Sequence, residues 1–426
     1  MTHTINLNHI TKIEGHAKLA IEIEKNKVKK CELSSIEGSR YFEGLVKGTK
    51  YFEAHEITSR ICGICSCAHT VAANTAVERA LGIEPTHQTK LLNKLLMLGE
   101  RIRSHAAHLF FLALPDYLGY ESAIAMLPKY KNEVQSALRM MKAGNEIVRL
   151  VGGRDMHPVA AAVGGYRNIP SKEKLMELVE SIKKLKLEAN ATVELFSKLK
   201  LYDYEHKCEF FSLQDSKEYA MLEGPLVSEK SKFEQHEYLD YFKEYHSKYS
   251  TANFVVKDNK PYMTGALARM NNNFEMLSED AKLAVKKSGI EFPNLNPFTN
   301  NFCQAVELIH CMDEVIKHSV DYEEIEEHIL KPVTNTGRGV AAIEVPRGIL
   351  FHDYTIEDGT IIKANIITPT AQNLKVMEDE IKEMLPSLLK LKDEEKINLE
   401  IEKLIRAYDP CFSCSSHFLE VKWKKK

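Results

Sequence analysis

The stretch THQTKLLNKLLMLGERIRSHAAHLFFLAL, residues 86–114, repeats its apolar positions at steps of three and four: Leu91, Leu92, Leu95, Leu98, Ile102, Ala106, Leu109 and Leu112. That period belongs to an α-helix with a broad buried face. Pro85 precedes the pattern and Pro115 is expected to close it, which predicts one helix of roughly thirty residues. Further helical patterns run over residues 129–150, 171–199, 301–320, 370–391 and 393–407. Helices of this length contradict a doubly wound α/β fold and point to a long-helix bundle.

Strand patterns are fewer. Residues 17–36 alternate apolar and charged positions around Lys25-Asn26-Lys27, which reads as a hairpin. Residues 340–345, 348–356 and 360–367 also read as strands, with Asp358-Gly359 as the tight turn between the last two. Residues 202–265 are mixed and Tyr-rich, and their pattern predicts no definite element. With no repeat and no low-complexity linker, the expected fold class is mainly α with small β parts (α+β), a bundle with peripheral hairpins. The whole chain is expected to form one domain: a β-rich segment over 1–60, a helical bundle over 61–335, and a β segment with C-terminal helices over 336–417.

Composition narrows the function. The 426 residues carry 57 Lys+Arg against 60 Asp+Glu, a net charge of −3, with 44% hydrophobic and 27% charged residues. This is the make-up of an ordinary globular protein, not of a disordered chain or a collagen. No window holds the apolar run of a membrane span. The balanced charge offers no basic footprint for nucleic acid. The start, MTHTINLNHI, lacks the basic and apolar regions of a secretory signal, so a cytoplasmic location is expected. Nine cysteines without a signal argue against a disulfide framework.

Those cysteines are unevenly placed. Cys31, Cys208, Cys303 and Cys311 stand apart, in the manner of small buried hydrophobes. Two Cys-x-x-Cys pairs, Cys62/Cys65 and Cys411/Cys414, lie at opposite ends of the chain. Each spacing puts two sulfurs on one side of a turn, so four thiolates could enclose one soft metal. From spacing alone a structural zinc site is a full alternative. A thioredoxin-type redox pair lacks its βαβ context.

The residues flanking each pair carry more. RICGICSCAH (residues 60–69) and RAYDPCFSCSSH (residues 406–417) resemble, over their full length and in order, the two signatures of the large catalytic subunit of nickel–iron hydrogenases. The resemblance extends through most of the chain. It implies that Cys62, Cys65, Cys411 and Cys414 bind nickel, with Cys65 and Cys414 bridging to an iron that carries carbon monoxide and cyanide. Cys67 matches no ligand position and reads as a packed thiol.

Other matches complete the implied site. KIEGH (residues 12–16) resembles the family's R-I-E-G-H, whose Glu takes protons from a nickel-bound cysteine; this implies that role for Glu14, with Lys12 replacing the usual Arg. A lone Glu near a strand is otherwise most often a solvated charge. RYFE (residues 40–43) resembles R-G-F-E, which implies a magnesium-type cation held by Glu43, the Ile366 carbonyl and His417. EVPRG (residues 344–348) resembles E-A-P-R-G, implying that Arg347 overhangs the metal pair and meets a cyanide; a plain ion pair with Glu344 is the alternative. Pro369-Thr370 matches a Pro-Ser whose hydroxyl donates to the other cyanide, and Asp409 would pair near Arg347. SHAAH (residues 104–108) and RDMHP (residues 154–158) also resemble family stretches, though many members carry Asp where Ser104 stands. His69, His105, His108 and His157 read as supporting or core histidines beside a site already four-thiolate.

The implied reaction is reversible heterolytic cleavage of dihydrogen, with the proton received by Cys411 and passed to Glu14. The remaining cysteines show no iron–sulfur spacing, so an Fe–S small subunit is implied as the electron partner. HLFFLALPDYLGY (residues 108–120) and LNPFTNN (residues 295–301) are similar to the soluble multi-subunit enzymes that couple hydrogen to NAD(P) or sulfur, which implies diaphorase-type flavin subunits as well. In the family a maturation protease cuts after the final His, so residues 418–426 are expected to be a removable propeptide. Two rivals remain. A quinone-reductase-type subunit of respiratory complexes shares the implied fold but lacks the four cysteines, and a zinc-stabilised scaffold keeps them without catalysis.

Overall fold

A computed structural model describes residues 2–25 and 27–416. At its centre the helix His87–Ala107 packs against Lys131–Gly152 and Asn300–Asp321, and Lys172–Ser197 closes the bundle. Two glycines allow the closest of these crossings: a Cβ on Gly144 would lie 2.6 Å from the Gly99 carbonyl oxygen. The central helix is buried on almost every face, including its polar residues Glu100, Arg101, Arg103, Ser104 and His105. Buried charges on a central helix demand partners, and those partners build much of the site.

Pro115 does not end this helix, contrary to the sequence expectation. The chain passes from His87–Ala107 into a π-helical segment, His108–Ala113, and on through Leu114–Leu118 to a left-handed Gly119. A proline removes one helical N–H and crowds the carbonyl a turn before it; the wider π turns ahead of Pro115 give it room.

The two largest antiparallel sheets among the described residues each have three strands. One joins Thr2–Leu7, Ala17–Glu24 and Lys27–Ser35. The sequence expectation covers its second and third strands but not the first, and Asn26 of the expected turn lies outside the described residues. The other joins Gly337–Val345, Gly348–Glu357 and Thr360–Ile367, with left-handed Asp358 and Gly359 turning the last pair. The helix Ser66–Leu81 lies against this sheet. It approaches so closely that a Cβ on Gly339 would meet the Ala76 carbonyl oxygen at 2.0 Å. No sequence pattern predicts that helix, because it is buried on nearly all sides and shows no polar face to give it a period.

The remaining expected helices appear as Pro369–Leu388, which ends in a short 3-10 turn, and Glu394–Ala407. The Tyr-rich region over 202–265 forms short strands, such as Phe242–His246 paired with Asn253–Lys257, and one short helical stretch, Gln235–Glu237 running into Tyr238–Tyr241. No helix among the described residues is long and apolar enough to cross a membrane.

Candidate metal centre

Three chain segments converge at one end of the bundle. The loop Cys62–Cys65 leads into the helix Ser66–Leu81, and Cys65 stands at its N-terminal cap. Glu100, fully buried on the central helix, accepts from the Cys67 and Ala68 N–H groups at 2.8 and 3.2 Å, so donors otherwise orphaned in the first turn are satisfied. Arg103, one turn on, donates to the Ile64 carbonyl at 3.1 Å. Arg40 donates both to the Ile61 carbonyl, at 2.6 Å, and to the Ser413 carbonyl, tying the two cysteine loops together.

Cys62, Cys65, Cys411 and Cys414 place their sulfurs within 4.8 Å of one another, and all four are buried. Cys62 and Cys411 are 3.6 Å apart, Cys65 and Cys414 3.8 Å, Cys411 and Cys414 2.9 Å. A metal with sulfur bonds of about 2.3 Å needs tetrahedral sulfurs about 3.8 Å apart; the Cys62–Cys411 and Cys65–Cys414 separations match that, and Cys411–Cys414 is closer. Hydrogen bonds from Cys411, Cys414 and Cys65 hold the Cys62 thiol well below its ordinary pKa, while burial pushes Cys411 and Cys414 well above theirs. Four buried sulfurs that favour sharing a proton in this way are a donor set for a cation, which takes the protons' place.

The segment Lys12–His16 runs beside the second pair. Glu14 and Cys411 form an isolated parallel bridge, and the Phe412 N–H donates to the Glu14 carbonyl at 3.0 Å. The half-buried Glu14 side chain places Oε2 2.8 Å from the Cys411 sulfur. Ser413 fixes that carboxylate, donating its N–H to Oε2 at 3.2 Å and its hydroxyl to Oε1.

Across the sulfurs, Arg347 reaches over from the turn between Gly337–Val345 and Gly348–Glu357. Its Nη1 lies 3.5 Å from Cys65 Sγ and 3.4 Å from Ser104 Oγ, while Nε donates to the Asp409 carbonyl at 2.7 Å and Nη2 pairs with Asp409 Oδ1 at 3.0 Å. Burial works against the Arg347 charge. Asp409, Cys65, Cys411 and Cys62 outweigh it and hold the guanidinium protonated, well above its ordinary range. Gln304 donates to Asp409 at 3.2 Å, and His108 contacts Gln304 and the Arg406 carbonyl.

Arg347 is not paired with Glu344. That carboxylate turns inward to Arg269 Nη1 at 3.0 Å, and Arg269 grips Glu307 at 2.6 and 2.7 Å and the Val345 and Pro346 carbonyls ahead of Arg347. His105 lies 2.7 Å from Glu307 and is kept neutral by burial, its pKa lowered to about 4.

Thr370 sits beside Pro369 at the start of the helix Pro369–Leu388. Its Oγ1 accepts from the Cys411 N–H at 2.8 Å, which leaves the hydroxyl proton to donate elsewhere. Away from the sulfurs, Glu43 accepts from the Ile366 N–H at 2.9 Å. His69 Nδ1 and His352 Nε2 are 3.0 Å apart, and His157 Nδ1 contacts the Ser59 carbonyl at 2.9 Å. His417 and residues 418–426 lie outside the described residues. The sequence alone does not single out Ser413, Glu100, Arg103 or Gln304. Ser413 stands inside the second cysteine motif, a signal that could have found it; the others sit in helix interiors with no local signal.

Fold and site together define a metalloenzyme with a four-thiolate centre, a carboxylate on one sulfur and a guanidinium over another. The family model for nickel-dependent hydrogenase matches residues 40–146 and 231–417, and the chain belongs to that family, as a large subunit and an oxidoreductase acting on hydrogen. It is 34% identical to the sulfhydrogenase 1 alpha subunit of Pyrococcus furiosus, covering 98% of each chain. It is 28% identical to the beta subunit of the NAD-reducing hydrogenase HoxS of Cupriavidus necator, over 98% of this chain and 96% of that one. A solved NAD+-reducing [NiFe]-hydrogenase in its H2-reduced state superposes with a TM-score of 0.89 at 23% identity, over 97% of this chain and 99% of that one. The [NiFeSe]-hydrogenase of Dm. baculatum gives 0.80, at 23% identity and 98% and 100% coverage. Membership of the nickel-dependent family favours nickel where sulfur geometry alone leaves nickel and zinc open.

Proposed function

We propose that Glu14 receives the proton released when this subunit cleaves dihydrogen, by way of the Cys411 sulfur. The observation that carries the reading is the 2.8 Å contact between Glu14 Oε2 and Cys411 Sγ, held on the far side by Ser413. Cys62, Cys65, Cys411 and Cys414 would hold the nickel and iron. When bound, such a centre supplies the Lewis acidity that turns a very weak acid into a proton donor. Cys411 takes the proton at Sγ, and Glu14 carries it away across a distance suited to direct transfer. Arg347, kept charged by Asp409, acts as fixed positive charge over the open side and not as a base. Thr370, with its oxygen already accepting from the Cys411 N–H, would have its hydroxyl proton free to donate to a cyanide of the iron. Glu43, the Ile366 carbonyl and His417 would hold a magnesium-type cation.

Electrons leave through an Fe–S small subunit, because this chain has no further cysteine cluster among its described residues. The likeness to sulfhydrogenase and NAD-reducing relatives supports coupling to NAD(P) or to sulfur reduction through diaphorase-type subunits. Residues 418–426 are removed by a maturation protease once nickel is in place. Elemental analysis of the purified complex, with dye-linked hydrogen oxidation, tests the whole reading: nickel and iron near one each with turnover are expected, and zinc alone would overturn it. Intact mass of the active form should end at His417; retention of the tail would overturn the processing step.

A further inference from the structure

A second buried ion group adjoins the sulfur site. The Asp116 carboxylate, 1% exposed, holds the Lys12 ammonium on Oδ1 and Arg406 Nη1 on Oδ2, the latter at 2.5 Å. Arg406 also donates Nε–H to the Thr11 carbonyl at 2.9 Å and meets Glu402 at 3.1 Å. Two cations face two carboxylates, so no net charge is stranded. Lys12 lies just ahead of Glu14, and Arg406 just ahead of Cys411. One carboxylate therefore joins the two segments between which the proton must pass.

Two features of the backbone serve this junction. Lys12 is held at φ 57°, a left-handed conformation that crowds the side chain of a lysine and persists where surroundings enforce it. The continuation of the central helix, residues 108–118, also grips Arg406 twice, through His108 Nε2 on its carbonyl at 2.7 Å and through Asp116 on its guanidinium. In an ideal α-helix, positions 108 and 116 would point about 80° apart. The π-helical segment His108–Ala113 turns less per residue and brings both onto the face of Arg406.

We propose that Asp116 is a positioning residue for proton transfer: by clasping Lys12 and Arg406 it sets the separation of the Glu14 carboxylate from the Cys411 sulfur. This rests on the reading that Glu14 takes the proton. Lys12→Met removes the clasp on one side while the buried Asp116–Arg406 pair stays intact, and Lys12→Arg keeps it. Both are compared with the parent and with Glu14→Gln in the metal-loaded complex, for nickel and iron content, the nickel EPR spectrum, and hydrogen–deuterium exchange between D2 and water. Amide exchange over residues 9–16 is followed by mass spectrometry in the same samples. Lys12→Met should retain metal and spectrum, speed amide exchange in that loop, and slow D2 exchange at least about tenfold, the scale on which small misplacements act; Lys12→Arg should match the parent. Unchanged D2 exchange in Lys12→Met beside a dead Glu14→Gln overturns the positioning role, as does metal loss proportional to the lost exchange. Parent-level exchange in Glu14→Gln overturns instead the reading beneath it.

Discussion

The Glu14 carboxylate lies 2.8 Å from the sulfur of Cys411, although 397 positions of chain separate them. Nothing between the two residues forms a continuous element. A bridge of one residue from each segment, the Ser413 hydrogen bonds and the Asp116 clasp hold the two segments together, so this carboxylate is placed by tertiary packing alone.

Glu14→Gln keeps the side chain's shape but removes its capacity to bind and release a proton at the working pH. Hydrogen turnover should fall at least about 100-fold, the lower range for a lost acid–base group, with nickel and iron content preserved. Dye-linked oxidation assays paired with metal analysis check both halves. Metal loss in this variant would assign Glu14 a structural role.

Cys65→Ser and Cys414→Ser each replace a soft donor by a hard hydroxyl in a buried quartet. Thiophilic metals should then be retained poorly, and turnover should be absent. Nickel measured per chain after purification decides the matter; unaltered hydrogen uptake would sink the four-thiolate assignment.

Arg269 lies fully buried between Glu307 and Glu344, and its removal strands two carboxylates. Arg269→Met should therefore destabilise the subunit by about 3–5 kcal/mol, the cost of breaking a buried pair. Urea unfolding of the parent and variant complexes measures it. A loss below about 1 kcal/mol would show that the carboxylates find other compensation.

Glu78, on the helix Ser66–Leu81, has its pKa raised by burial to about 7, and only its Oε1 has a partner, the Gly164 N–H at 2.8 Å. The folded chain keeps this proton up to about pH 7, whereas the unfolded chain loses it near the ordinary carboxylate value. The native state thus binds more protons in between, and stability falls as pH rises through that window, by about 3 kcal/mol in all from this one group. Glu78→Gln should flatten that part of the stability–pH curve. Denaturant midpoints taken from pH 4.5 to 7.5 would show the same slope in both proteins if the assignment were wrong.

Much of the fold is legible in the sequence. The helices Lys172–Ser197 and Asn300–Asp321 fall within two residues of their sequence patterns. The first buries one side and exposes the other, so its period is marked; the second, though buried throughout residues 300–312, alternates again over its last turns. The strand Thr360–Ile367 and its Asp358-Gly359 turn are also readable, since that turn type requires positive φ at both positions. The helix Ser66–Leu81 is not, for a helix buried all round has no polar stripe to mark its period. The passage of the long helix through Pro115 is hidden too, because no local pattern announces a π segment.

By itself the sequence determined the chemistry available to this protein: four thiols in two short motifs, a carboxylate in a third, a guanidinium in a fourth. Each motif is local, so its residue types and spacings can be read along the chain. What only the tertiary structure decided is which atoms meet. Closing loops of several hundred residues costs entropy that no local pattern can offset; the packed core around the central helix offsets it. That core sets the 3.6 Å between Cys62 and Cys411, the turning of Glu344 away from Arg347 toward Arg269, and the clasp of Asp116 on Lys12 and Arg406. Buried charges must find partners wherever the fold brings them, and their pairing is a property of the assembled core, not of any one segment.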